Sequence, residues 1–325
     1  MKRIIILLIL IYGRVNAQSI DSTIFQAAPS FSGQIAILKG DSIFYSASHG
    51  WMNYPMQQKM KNDAMMELGE LSSRFTREAF LELVDKKMVN EDSLVCKYIA
   101  NFPYTNIKIK HLLNNNSGLP SNYIKLYHRN IFNDENIKLK DKLVISNKSI
   151  IDLLIKFKPT VEYLPEERVS DCNTNDIVLA YLLEIFYFKS YDEIINEMIK
   201  KKYPKLNIVA CSDWRNTPLM NRASGQAKLD STHYSIQESL HDMGFKYDDA
   251  TLGHHHIYAD AKSIVKYFGL CEAEQKKRPF ELVGFESGFN SFVSYNGQYT
   301  IAILSNTNDE NDTKLLVEEI KKRTK

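Results

Sequence analysis

The sequence has no appreciable excess of either charge, no apolar run long enough for an uninterrupted membrane span, and no cysteine spacing typical of a metal centre; it also has no repeat, low-complexity tract or Pro-rich linker. Each absence removes a class of protein. Against 41 Lys and Arg stand 39 Asp and Glu, and the cations form no stripe, so no nucleic-acid partner is expected. Lys200-Lys201-Lys202 and Lys321-Lys322-Arg323 end helical patterns, where cations complement the dipole. The apolar stretch Ile4 to Tyr12 is interrupted by Arg14, short of the roughly 18 residues a span needs. Basic Lys2 and Arg3 before it and Val15-Asn16-Ala17 after it predict a secretory signal peptide over 1–17, cut before Gln18. Residues 18–325 then carry 38 basic residues (41 less Lys2, Arg3 and Arg14) against 39 acidic ones. No cysteine lies near the cut to accept a lipid, so the expectation is a periplasmic or secreted protein without a stable membrane anchor. Cys96, Cys172, Cys211 and Cys271 are far apart, and their spacing leaves any disulfide pairing open.

What is present is a 44% apolar chain, ample for a core. Ser32 to Leu38 and Ser42 to Ser48 read as strands joined by Lys39-Gly40-Asp41. Near the other end, Ser291 to Tyr295 and Gln298 to Leu304 flank Asn296-Gly297, a strong hairpin signal, before a helical pattern over 309–325. Between them the period turns helical: Phe75, Ala79, Phe80, Leu83 and Val84 share a face, as do Ile150, Leu153, Leu154 and Phe157. Ser190-Tyr191-Asp192-Glu193 is a capping-box signature, and Asp260 to Leu270 gives one more amphipathic helix. The expected fold class is α/β (α+β), an antiparallel sheet built from both chain ends with an inserted, mainly helical lobe. The boundaries read as a sheet lobe over about 18–66 and 283–325 and a helical lobe over about 67–282.

Order and spacing then resemble a family. Ala64 to Pro103, AMMELGELSSRFTREAFLELVDKKMVNEDSLVCKYIANFP, is similar to the stretch that carries Ser-x-x-Lys in serine β-lactamase-related and penicillin-binding proteins, the class C β-lactamases and D-alanyl-D-alanine carboxypeptidases. Lys108 to Pro120, KIKHLLNNNSGLP, resembles that family's Thr-Ile-Arg-His-Leu-Leu-Thr-His-Thr-Ser-Gly-Leu-Pro. The resemblance implies a β-lactamase/transpeptidase-like fold and acyl transfer from β-lactams, D-alanyl peptides or esters. It further implies a serine activated by a lysine, a Tyr-x-Asn motif and a Lys-Thr-Gly or His-x-Gly strand.

Laid on this chain, each motif is broken. Gly69 and Phe75-Thr76 set the register that puts Glu70 at the nucleophile and Ser73 at the lysine. Pro165 to Thr174 is similar to Pro-Gly-x-x-Phe-Ser-Tyr-Ser-Asn-Thr, with Asp171 at the tyrosine and Asn173 retained. Leu282 to Phe289 is similar to His-Thr-Gly-x-x-x-Gly-Phe, with Leu282 at the basic residue and Gly284 retained. Residues that shape backbone remain, whereas those that did chemistry are gone. Glu70, Ser72, Asp171, Asn173 and Phe285 are the candidates to line what pocket is left.

Two chemistries compete with inactivity. Ser72 and Ser73 are hydroxyls near the expected site, yet no lysine or tyrosine is placed to take a proton, and Glu70 would repel an oxyanion. Glu70 and Asp171, if close, could share a proton as acid and base; the plainer reading is an acid at a helix N-terminus and a surface acid. Gly253-His254-His255-His256-Ile257-Tyr258-Ala259 resembles the family's Gly-His-Ala-Gly-Leu-Phe-Ser loop. The three histidines are weak metal candidates because consecutive side chains splay apart, so a solvated loop and no metal are expected. His111 reads as a core histidine and Cys172 as a small buried hydrophobe. No cofactor is implied. The expectation is a catalytically inactive relative that binds a cell-wall peptide or another small ligand, against a hydrolase with a re-formed site or an interaction scaffold. Oligomeric state is left open.

Overall fold

The computed structural model describes residues 25–121, 123, 146–212, 219–228, 234–236, 253–274, 278–286 and 288–324, with the backbone alone at 228, 234–236, 271–274 and 286. The predicted signal segment 1–17 and the Cys271 side chain lie outside the described residues. In chain order the strands are β1 (Gly33–Lys39), β2 (Ser42–His49), β3 (Trp51–Asn53), β4 (Gln58–Lys59), β5 (Met66–Glu67), β6 (Ile208–Ala210), β7 (Gln226–Lys228), β8 (Tyr234–Ile236), β9 (Ile257–Ala259), β10 (Phe280–Glu286), β11 (Phe289–Tyr295) and β12 (Tyr299–Ser305). The helices are α1 (Ser73–Asp85), α2 (Ile109–Leu113), α3 (Asn147–Phe157), α4 (Asn173–Tyr187), α5 (Tyr191–Lys202), α6 (Ala261–Glu274) and α7 (Glu310–Arg323). The chain divides into two compact units, one of 1–66, 220–238 and 259–325, the other of 67–219 and 239–258.

The first unit is built on an antiparallel sheet of order β10-β11-β12-β1-β2. β1 is buried along six of its seven residues because both sheet faces are covered. Alternation assigns Ile35, Ile37, Phe292, Ile301 and Ile303 to one face, where Leu316, Val317 and Ile320 of α7 pack on them. The other face carries α6, against β1 and β12. Gly297, at φ 97°, makes the turn between β11 and β12 that the Asn296-Gly297 pair predicts. Asp309 caps α7 by accepting from Asn311 N at 2.9 Å, with Glu310 and Asp312 in the first turn and Lys321, Lys322 and Arg323 in the last. Two stretches differ from the sequence reading, which placed 220–238 and 259–282 in the helical lobe. The apolar period of α6 buries Ile264, Val265, Tyr267 and Phe268, but a period does not say against which core, and it is the sheet.

The second unit is helical around α1 and α4. Phe75, Ala79, Phe80 and Leu83 of α1 are buried, and α4 is buried from Thr174 to Ala180 on every side. The capping box forms at α5, where Glu193 Oε2 accepts from Ser190 N at 2.9 Å. The segment before α4 is tied to the end of α2 by three backbone bonds: Glu162 N to Gly118 O, Glu166 N to Asn116 O and Ser170 N to Asn115 O. Gly118 is required there: its φ is 72°, and a Cβ would lie 1.9 Å from Tyr163 O.

Candidate functional site

Gly69–Ser72 forms a 3-10 turn and α1 begins only at Ser73, so Glu70 lies in that turn ahead of the helix. Glu70 and Ser73 are half-buried. Ser72 is 0% exposed and its Oγ has no hydrogen-bond partner among the described residues, so it lines no open pocket, contrary to the sequence expectation. One turn on, Thr76 Oγ1 donates to Gly253 O and accepts from the Tyr191 hydroxyl, whose ionisation burial pushes far up. That hydroxyl is a fixed structural bond.

Asp171 is exposed and accepts from Asn115 Nδ2 at 3.1 Å. Cys172 is buried, which raises its thiol, and Asn173 opens α4 half-buried. Behind them lies a pair the sequence reading missed. Asp176, 3% exposed, accepts from Arg77 Nε at 2.9 Å and Nη2 at 2.8 Å. Arg77 also donates to Leu113 O at 2.8 Å and Asn115 Oδ1 at 2.7 Å. Burial pushes Asp176 up to about 7, Arg77 opposes this, and Asp171 adds to it by repulsion. Asp171 is thus in electrostatic range of Asp176, at the start of the same helix. His111 is buried as expected: its Nδ1 accepts from Lys108 N at 3.2 Å and its Nε2 lies 3.1 Å from Glu166, with burial lowering its pKa and Glu166 resisting.

The histidine turn is not solvated. His254 is 0% exposed, with Nε2 bonded to the Tyr123 hydroxyl at 2.8 Å, and burial first, then His255 and His256, hold its pKa well below 6.5. His256 is also buried, at φ 65°; its N–H donates to Glu67 Oε1 at 3.0 Å, and Tyr258 donates to Glu67 Oε2 at 3.2 Å. A neutral imidazole with a phenol partner is cheap enough to bury, which a count of polar residues does not register. Among the described residues no three His, Cys, Asp or Glu side chains form a metal-binding group.

In the other unit, Leu282 pairs with Val293 and Gly284 with Ser291, whose Oγ donates to Gly284 O at 3.3 Å. Alternation sends Val283 and Phe285 to the opposite face. There they line a cavity of about 250 Å³ with Phe292 and Val317, so Phe285 cannot share a pocket with Leu282.

A family model described as Beta-lactamase matches residues 23–268. The chain belongs to the beta-lactamase family. It is 25% identical to penicillin-binding protein 4* of Bacillus subtilis (strain 168) over 219 residues, 67% of this chain and 45% of that protein. It is also 25% identical to a D-aminopeptidase of Brucella anthropi over 167 residues, 51% of this chain and 30% of that one. The matches thus span less than half of either relative. Among solved structures, a penicillin-binding protein from Bacillus halodurans superposes with a TM-score of 0.71 at 16% identity, covering 92% of this chain and 98% of that one, and shares its fold.

Within this beta-lactamase fold Glu70 and Ser72 fall in one turn with Ser73 opening α1, and Asp171 and Asn173 lie at the start of α4, while Leu282, Gly284 and Phe285 belong to the sheet unit. Arg77 and Asp176 stand 99 residues apart on separate helices, and no periodicity links them. A second, half-buried acid gives a pH test. Glu184 of α4 is pushed up to about 7 chiefly by burial, against the Tyr191 backbone N–H that bonds it. A carboxyl raised in the fold contributes stability below its unfolded value of about 4.3 and loses it as pH rises through about 7. Glu184→Gln should therefore raise the melting temperature relative to wild type more at pH 8 than at pH 5, by about 2–4 °C after allowing for solvent screening of this half-buried group. A difference independent of pH would show that Glu184 ionises freely.

Proposed function

We propose that this protein is an exported, non-acylating member of its family that binds a small ligand, such as a cell-wall peptide, and does not hydrolyse it. The observation that carries the reading is Glu70 in the turn and Ser73 at the first position of α1, where the family's motif has a serine and a lysine, beside a Ser72 hydroxyl sealed from solvent. A carboxylate there replaces the hydroxyl that would carry the acyl group as an ester, and its charge opposes a developing oxyanion. Asp171 in place of the tyrosine and Leu282 in place of the basic residue point the same way. Export rests on the 1–17 segment, with a periplasmic or secreted location. The names of the relatives, a penicillin-binding protein and a D-aminopeptidase, support a ligand of the peptide or β-lactam kind.

The test is intact-mass spectrometry of the protein recovered from its producing cells, before and after incubation with penicillin. The expected mass begins at Gln18 and is unchanged by the drug. A stoichiometric penicilloyl adduct on Ser72 or Ser73 would sink the non-acylating reading.

A further inference from the structure

Asp171 ends a chain of fixed hydrogen bonds. Asn115 Oδ1 accepts from Arg77 Nη2 at 2.7 Å and Asn175 Nδ2 at 3.1 Å. Two donors at one atom identify it as the oxygen, so the amide cannot be flipped and its Nδ2 must face Asp171 Oδ1. The bond from Ser170 N to Asn115 O, 2.8 Å, fixes the same stretch of backbone. The other Asp171 oxygen has no partner among the described residues, and the side chain is exposed.

Among the described residues no cation bonds to Asp171. Arg77 turns its guanidinium to Asp176, Leu113 O and Asn115 and makes no bond to Asp171. Lys110 is engaged by Asp92 and Glu166, and Arg168 lies 4.4 Å above the Tyr163 ring. An oriented anion therefore stands where the family motif has an uncharged phenol.

We propose that Arg77 and Asn115 are positioning residues that hold Asp171 as the specificity-determining group for a ligand bearing a primary ammonium. This rests on the reading of the protein as a binding, non-acylating relative. An ammonium donating to a preset carboxylate makes a charge-assisted bond, and little side-chain freedom is lost on binding because the fold has already removed it.

The experiment titrates the full chain at pH 8, where Asp176 is ionised, with ethylammonium chloride, sodium propionate and sodium chloride at matched ionic strength. It follows the Asn115 side-chain amide and the Asp171 carboxyl carbon by NMR. Ethylammonium should give a saturable shift of both, and the two sodium salts should not. Asp171→Asn, which can still accept from Asn115, should weaken ethylammonium about tenfold. Arg77→Met with Asp176→Leu, which removes the hub as a pair, should weaken it severalfold while the protein still unfolds cooperatively. Equal responses to propionate or sodium chloride, no saturation with ethylammonium, or unchanged affinity in Asp171→Asn would overturn the proposal. A penicilloyl adduct would remove the non-acylating reading instead, and the two failures are read on different instruments.

Discussion

Arg77→Ala should destabilise the helical unit by about 3–5 kcal/mol, because it leaves the Asp176 carboxylate buried without its counter-charge and opens the acceptors at Leu113 O and Asn115 Oδ1. The cost measures the stranded charge, not the worth of the pair. Moving both ions out of water costs nearly what their attraction returns, so the double replacement Arg77→Met with Asp176→Leu should cost much less, chiefly the bonds lost at Leu113 O and Asn115 Oδ1. The single variants Arg77→Ala and Asp176→Ala should each be far less stable than this double variant in urea unfolding. Equal losses in all three would mean that the two side chains act through packing alone. Asp176→Asn should fall between, since an amide can still accept from Arg77 but no longer balances its charge.

Phe80→Ala should cost about 3–5 kcal/mol, lowering the melting temperature by about 6–20 °C in a chain of this size. Phe80 is 0% exposed on the inner stripe of α1, with Phe75, Ala79 and Leu83, and α1 packs on the most deeply buried helix of its unit. The loss joins the transfer energy of the ring to a cavity that its neighbours can only partly close. The exposed Leu81 beside it is the control: Leu81→Ala should change little. Retention of the wild-type melting temperature by Phe80→Ala would place α1 at the periphery of its unit.

The sequence by itself determined the elements and the family. Alternation around Lys39-Gly40-Asp41 and Asn296-Gly297 fixed two hairpins, and the apolar stripe from Phe75 to Leu83 fixed α1 with its inward face, because these patterns are local and have a period. The proposed register, with Glu70 and Ser73 laid on Ser-x-x-Lys, rests on the same kind of local pattern, residues three apart. Tertiary structure decided what depends on partners distant in the chain. It buried the histidine turn by giving His254 the Tyr123 hydroxyl and Glu67 the His256 N–H, and it sealed Ser72. It set Phe285 on the opposite sheet face from Leu282 and assigned α6 to the sheet. It also joined Arg77 to Asp176 and, through Asn115, to Asp171. A periodic pattern tells a side chain whether to face inward; only the packed fold supplies the group it meets there, and for a buried polar atom that group decides whether burial is tolerated.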